Sequence, residues 1–180
     1  MGTALRGPAL RRGDCIAAPA THDEGQDISA AVARLERAGY RVKMMPTVTG
    51  NYGFFSGTDA ERARDINALF HDDDVKAIIC LNGGYGSARI LHKPGYEYIA
   101  SHPKLVVGFS DVTALQTALW EKCRLVTANG PLMVTLGGSD AYTAGQFFQG
   151  LTTDAWRGPL ALPAGRKLTT VVPGQAEGPI

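Results

Sequence analysis

Apolar residues in this chain gather into short continuous runs, and between the runs they recur at helical spacing. Cys15-Ile16-Ala17-Ala18 is an apolar run closed by Pro19, which predicts a strand. Ile28, Ala31, Val32, Leu35 and Ala38 then keep helical spacing until Gly39 stops them. Arg41 to Met45 predicts a second strand, ended by Pro46. Thr58 and Glu61 match a capping box, opening a helix that carries Ala63, Ile66, Ala68, Leu69 and Phe70. Asp72 to Asp74 predict a solvated turn. Ala77 to Leu81 is apolar throughout, as expected of a parallel strand buried on both faces. A short helix is expected near Ala88 and another over Tyr96 to Ala100. Leu105-Val106-Val107 predicts a further strand, Asp111 to Lys122 a helix with Val112, Leu115, Leu119 and Trp120 as its apolar positions, and Leu125 to Ala128 the next strand.

Strands and helices therefore alternate from about residue 14 to about residue 130, the pattern of an α/β fold. The expectation is a parallel sheet flanked by helices, flavodoxin-like or like the N-terminal domain of class I glutamine amidotransferases. In such sheets ligands bind beyond the carboxyl ends of the strands. After Gly150 the character changes. Pro159, Pro163, Pro173 and Pro179 fall in a segment with one strand-like run, Leu168 to Val172. The division expected is 1–150 as an N-terminal α/β domain, with 151–180 as a linker and the start of another domain.

Composition narrows the function classes. The 180 residues are 44% hydrophobic and 19% charged, which suits a folded core and excludes a disordered composition. The net charge of +1 offers no bulk attraction to nucleic acid or to a membrane surface. Cys15, Cys80 and Cys123 are odd in number and lack metal-site spacing, so neither a disulfide framework nor a zinc site is expected. Cys80 reads as a small buried hydrophobe, which fits a reducing compartment. No apolar run is long enough to span a membrane. The N-terminus lacks a signal-peptide core, and Arg6 breaks the myristoylation pattern. The expected setting is the cytoplasm.

Two turns fall at the carboxyl ends of strands. In Gly108-Phe109-Ser110-Asp111, a serine sits where a strand gives way to a helix. Such a turn pushes the hydroxyl out of the backbone contour, and the helix start directs N–H groups to the same point. The pattern lacks the second glycine of the full Gly-x-Ser-x-Gly elbow, because position 112 is Val112. Ser110 can therefore be a nucleophile or a plain helix cap. In Asn82-Gly83-Gly84-Tyr85-Gly86-Ser87, glycines let the backbone approach a bound group and could supply a second oxyanion donor. That turn is neither a Walker loop nor the dinucleotide fingerprint. Tyr52, Phe54 and Phe55 either line a substrate cleft or pack on their own domain. Among the histidines, His71 and His102 are placed away from Ser110, whereas His22 and His92 could approach it.

These blocks resemble the LD-carboxypeptidase family. The resemblance rests on Gly13-Asp14 before the first strand, on Gly83-Gly84-Tyr85-Gly86-Ser87-Ala88-Arg89-Ile90-Leu91, on the stretch from Pro103 to Leu115, and on Asn129-Gly130-Pro131. It implies a Ser-Glu-His peptidase without metal or organic cofactor, with Ser110 as nucleophile and the backbone N–H groups of Gly84 and Asp111 as oxyanion donors. Asn82, Gly83 and Tyr85 are implied substrate contacts. Known members release a terminal D-amino acid from murein tetrapeptide, and a related branch hydrolyses microcin C and its processed aminoacyl nucleotides. Homodimers are common in the family. The chain departs from the family pattern at Asn82, where arginine is frequent, and at Asn129, where histidine is frequent. The family's Glu and His lie in a C-terminal domain. Residues 175–180 resemble the segment entering it, so Glu177 is expected to be connecting chain and not the catalytic acid. The alternatives are a non-catalytic peptide-binding module and an immunity-type peptidase.

Overall fold

The computed structural model describes residues 3–21, 25, 27–153, 162 and 164–174. Five strands form one sheet: β1 (Cys15–Ala18), β2 (Arg41–Met44), β3 (Val75–Ile79), β4 (Leu105–Gly108) and β5 (Ala128–Asn129). Every pairing is parallel and the spatial order is β2-β1-β3-β4-β5. That is the flavodoxin-like order, as the alternation of runs implied. The helices are α1 (Ser29–Arg37), α2 (Asp59–His71), α3 (Tyr96–Ser101), α4 (Val112–Cys123), α5 (Met133–Leu136) and α6 (Ala141–Leu151).

Side chains alternate across the strands and so feed two cores. Cys15, Ala17, Ile78 and Val106 meet the apolar side of α2, α3 and α4. Ile16, Ala18, Ala77, Ile79 and Val107 meet residues of α1, α5 and α6, among them Ala31, Leu35, Met133, Leu136 and Phe147. Helices therefore cover both faces. Val75 shares the face of Ile78 despite the odd spacing, because the β1–β3 register shifts between Cys15 and Ile16. A bulge of this kind resets which face a side chain takes.

Helix α2 starts as its sequence signature implied. Thr58 Oγ1 accepts the Glu61 N–H at 3.2 Å, and the Glu61 carboxylate accepts the Thr58 N–H at 2.8 Å. Its far end is capped by a residue distant in sequence. The buried Lys104 ammonium donates to the carbonyls of Leu69, at 2.7 Å, and Asp72. A cation satisfying the last carbonyls of a helix also complements its dipole. The Asp72–Asp74 turn is tied to the edge strand rather than simply solvated. Asp72 pairs with Lys43 at 2.6 Å, and Asp74 pairs with Arg41 at 2.5 Å.

Three features differ from expectation. The last strand is Ala128–Asn129, not Leu125 to Ala128. The backbone around Leu125 pairs instead with the N-terminal segment, where the Leu5 N–H donates to the Arg124 carbonyl and the Val126 N–H to the Leu5 carbonyl. Helices α5 and α6 follow, where the apolar pattern gave no helix. Leu168 to Val172 is not a strand, and Leu168, Val171 and Val172 are highly exposed.

Candidate active site

Strand β4 ends at Gly108, and α4 begins at Val112. The chain makes that change within three residues by placing Ser110 at φ +62°. A non-glycine residue in the left-handed region carries strain of about 1–3 kcal/mol, and such residues concentrate at functional sites. Gly108 makes the tight turn feasible. A Cβ there would lie 2.6 Å from Val112 Cγ1. Ser110 does not act as a helix cap. The residue before α4 is Asp111, no side chain caps that helix, and Ser110 is exposed at the end of the sheet.

The glycine turn that follows β3 lies directly against this serine. A Cβ built on Gly83 would stand 3.1 Å from Ser110 Cβ and 3.3 Å from its Oγ. Glycine at 83 is therefore what lets backbone come this close to the hydroxyl. Gly84 and Gly86 take φ of +85° and +132°, conformations L-residues rarely adopt. The β1 end joins the same rim, for the Thr21 N–H donates to Asn82 Oδ1 at 3.2 Å. Asn82 is buried beneath the turn, while Tyr85 projects from it and is 56% exposed.

Asp111 adds a feature the sequence pattern did not reveal. Its carboxylate accepts the Gly86 N–H at 3.2 Å and the Ser87 N–H at 2.9 Å. The Arg62 guanidinium, also unnoticed in the sequence, donates to the Gly86 carbonyl at 3.0 Å. In the aromatic loop, Phe55 takes the packed role. Phe55 packs against the Tyr85 ring and beneath the guanidiniums of Arg62 and Arg89, while Tyr52 and Phe54 stay largely exposed.

No histidine among the described residues hydrogen-bonds the Ser110 hydroxyl. His71 and His102 stack on either side of Tyr98, with centroid separations of 3.7 and 3.9 Å. They close α2 and follow α3, which places them at the amino ends of β3 and β4, opposite Ser110. His92 is exposed just past the 3-10 turn of Ser87–Ile90. His22 and Glu177 lie outside the described residues. Among the described residues, no group of three His, Cys, Asp or Glu side chains is placed to hold a metal, and no helix is long and apolar enough to cross a membrane.

The thiol nearest this rim is a poor rival nucleophile. Cys80 is buried, and burial, with the Asp111 carboxylate adding to it, pushes the thiol up to about 12. Only the thiolate is reactive. Iodoacetamide at pH 8 should therefore leave Cys80 unmodified in the folded chain and alkylate it in denaturant, as read by peptide mass spectrometry. Rapid native labelling would return a thiol to contention. Because the folded value is raised above the ordinary 9.0, this thiol's contribution to stability is complete below pH 9 and is lost as the pH climbs toward about 12.

Fold and site together define a flavodoxin-like α/β domain that carries a serine on a left-handed strand-to-helix turn, faced by a glycine turn from the neighbouring strand. Residues 15–130 match the LD-carboxypeptidase N-terminal domain, and the chain belongs to that family. It is 35% identical over 178 residues to the "Probable murein peptide carboxypeptidase" of Bacillus subtilis (strain 168), an alignment covering 94% of this chain and 54% of the relative. The structure of a muramoyltetrapeptide carboxypeptidase from Oxalobacter formigenes superposes with a TM-score of 0.68 at 32% identity, covering 77% of this chain and 48% of that one. The microcin C7 self-immunity protein MccF, solved with aspartyl sulfamoyl adenosine, superposes with a TM-score of 0.78 at 27% identity, covering 83% and 48%. The chain thus spans about half the length of these relatives.

Proposed function

We propose that this chain is the nucleophile-bearing part of a serine peptidase that hydrolyses an LD-peptide bond, such as the one before the terminal D-alanine of murein tetrapeptide. The observation that carries the proposal is Ser110 at φ +62° with the Gly83 backbone against its hydroxyl. In this mechanism Ser110 Oγ attacks the scissile carbonyl carbon, and the hydroxyl proton passes to a histidine oriented by a glutamate. The oxyanion takes hydrogen bonds from the N–H groups of Gly84 and Asp111. The C–N bond breaks, the histidine returns the proton to the amine, and D-alanine leaves. Water then releases the acyl group from Ser110.

The histidine and glutamate are assigned outside residues 1–180. Support for this reading comes from a Ser110 hydroxyl without a histidine partner among the described residues, and from relatives about twice as long. On this reading 1–150 is the nucleophile domain, and 151–180 leads toward the remainder. Gly83 and Tyr85 would meet the substrate, Tyr85 from its exposed side, whereas Asn82, buried beneath the turn, would support the turn from below rather than touch the substrate. The enzyme is proposed to be a cytoplasmic homodimer acting on small peptides without a metal or organic cofactor.

The test is D-alanine release from murein tetrapeptide. The 180-residue chain is expected to stay near background, and a version extended to the length of the relatives is expected to turn over. Robust turnover by the short chain would overturn the assignment of the base elsewhere. An extended protein that ignores the tetrapeptide but hydrolyses an aminoacyl nucleotide would move the substrate to the immunity class. A lack of turnover on both, with peptide binding retained, would favour a binding module.

A further inference from the structure

Gly86 is gripped on both sides of its peptide unit. Its N–H and that of Ser87 donate to the two oxygens of Asp111, and its carbonyl accepts Arg62 Nη1. Asp111 follows Ser110 directly, so one carboxylate ties the glycine turn to the serine turn. Arg62 is fixed in its turn by Asp59, which accepts its Nη2 at 2.6 Å. Arg89 engages both oxygens of the same Asp59, at 3.0 and 2.9 Å. The Arg89 pairing and then Arg62 hold the Asp59 carboxyl below its usual range. The Phe55 ring closes the group, with Arg62 at 4.7 Å and Arg89 at 5.2 Å from its centroid. Gly86 lies flat against this assembly, since a Cβ there would come within 2.8 Å of Arg62 Nη1 and 2.9 Å of Phe55 Cε1.

Stability alone gives little reason for that arrangement. Arg62 is 2% exposed, and its Nε has no hydrogen-bond partner among the described residues. A buried, incompletely satisfied cation usually costs more than an apolar side chain of its volume. The glycine turn gives the reason. Two of its residues, Gly84 and Gly86, have left-handed φ angles, and a turn this rich in glycine has many conformations open to it. An oxyanion donor must be set before the reaction and stay set, because small misplacements are expensive in rate.

We propose that the Asp111 carboxylate and the Arg62 guanidinium are positioning residues that clamp the 83–87 turn so that the Gly84 N–H faces Ser110. This role is separate from the backbone donor at Asp111, and it rests on the reading of Ser110 as nucleophile. The clamp acts through the turn, and neither side chain need touch the substrate.

Two readouts test it in wild type, Asp111→Asn, Arg62→Met, Arg62→Lys and Ser110→Ala. The first is amide hydrogen exchange in the chain. Arg62→Met should speed exchange at Gly86 and Ser87 by about tenfold, although Arg62 touches neither N–H, while amides of β1, β3 and β4 stay within about twofold. Arg62→Lys should be intermediate, because an ammonium lacks the planar fork. Unchanged exchange at 86 and 87, or equal acceleration everywhere, overturns the clamp. The second readout is turnover at the protein length that hydrolyses the substrate. Asp111→Asn should lower kcat by about 10²-fold with KM nearly unchanged, the loss expected when an oxyanion donor is misplaced. If Ser110→Ala keeps activity, the nucleophile reading fails. If Ser110→Ala is inactive while Asp111→Asn and Arg62→Met keep wild-type kcat, that reading stands and the clamp fails. Should Arg62→Met not fold, Asp111→Asn carries both readouts, since its position is only half-buried.

Discussion

Ser110→Ala is expected to lower kcat/KM by about 10⁴-fold or more while leaving the fold intact. Losses of that size follow removal of a covalent nucleophile, because the oxyanion donors and substrate binding leave only residual catalysis. The exposed Ser110 hydroxyl caps no helix, so its removal takes away no helix cap among the described residues. A companion substitution separates chemistry from packing. Ser110→Gly should be equally inactive yet more stable by about 1 kcal/mol, because glycine adopts φ +62° without the serine's strain. Thermal denaturation beside the activity assay reads both effects. A residue kept only for structure would not lose all function on becoming more stable. That trade is the mark of strain held for a reaction.

Gly86→Val is expected to cost about 3–5 kcal/mol and to abolish turnover. Two independent penalties meet there. The position has φ +132°, which a β-branched residue tolerates badly, and the new side chain would run into Arg62 and Phe55. Arg62 is pinned by Asp59 and by the Gly86 carbonyl, so it has little freedom to move aside. Gly138→Ala is the control. Nothing lies within 4 Å of a Cβ at that position, and its φ is not left-handed, so the change should stay within about 0.5 kcal/mol. Denaturant unfolding of the three proteins measures the contrast. A well-folded Gly86→Val chain with wild-type stability would mean that the turn is not packed as described.

Much of the fold was legible because a sheet buried on both faces writes itself as continuous apolar runs. β1 and β4 are such runs, β3 shares one over residues 77–79 although the strand itself starts at Val75 and includes Lys76, and α4 shows its buried positions, Val112, Leu115, Leu119 and Cys123, at helical spacing. β5 was misplaced because only two residues pair, whereas the more apolar Leu125 is buried in the core beyond the strand. Helix α6 was missed because Tyr142 to Leu151 mixes glycine, glutamine and threonine, with only Phe147 and Leu151 buried. Its one local signal was Asp140, whose carboxylate caps the helix by accepting the Thr143 N–H at 2.7 Å.

The site divides in the same way. Ser110, Gly83 and Gly84 are marked by backbone requirements, which glycine and turn position express locally. Arg62 carries no such mark. An arginine in an Asp-Ala-Glu-Arg-Ala-Arg helix looks like a solvated surface residue, and only tertiary packing puts its guanidinium against Gly86. The carboxylate of Asp111 was hidden for a similar reason. Its partners are 24 and 25 residues earlier in the chain, and nothing in the local pattern names them.

The central claim, that Ser110 is the covalent nucleophile, is tested most directly by trapping the acyl-enzyme. The protein, at the length that hydrolyses its substrate, is mixed with murein tetrapeptide, quenched in acid on the millisecond scale, digested and examined by mass spectrometry. The predicted result is an added acyl group, the tetrapeptide less D-alanine, on the fragment carrying Ser110, and no adduct in Ser110→Ala. Hydrolysis that continues in Ser110→Ala, or an acyl group found on another residue, would contradict it.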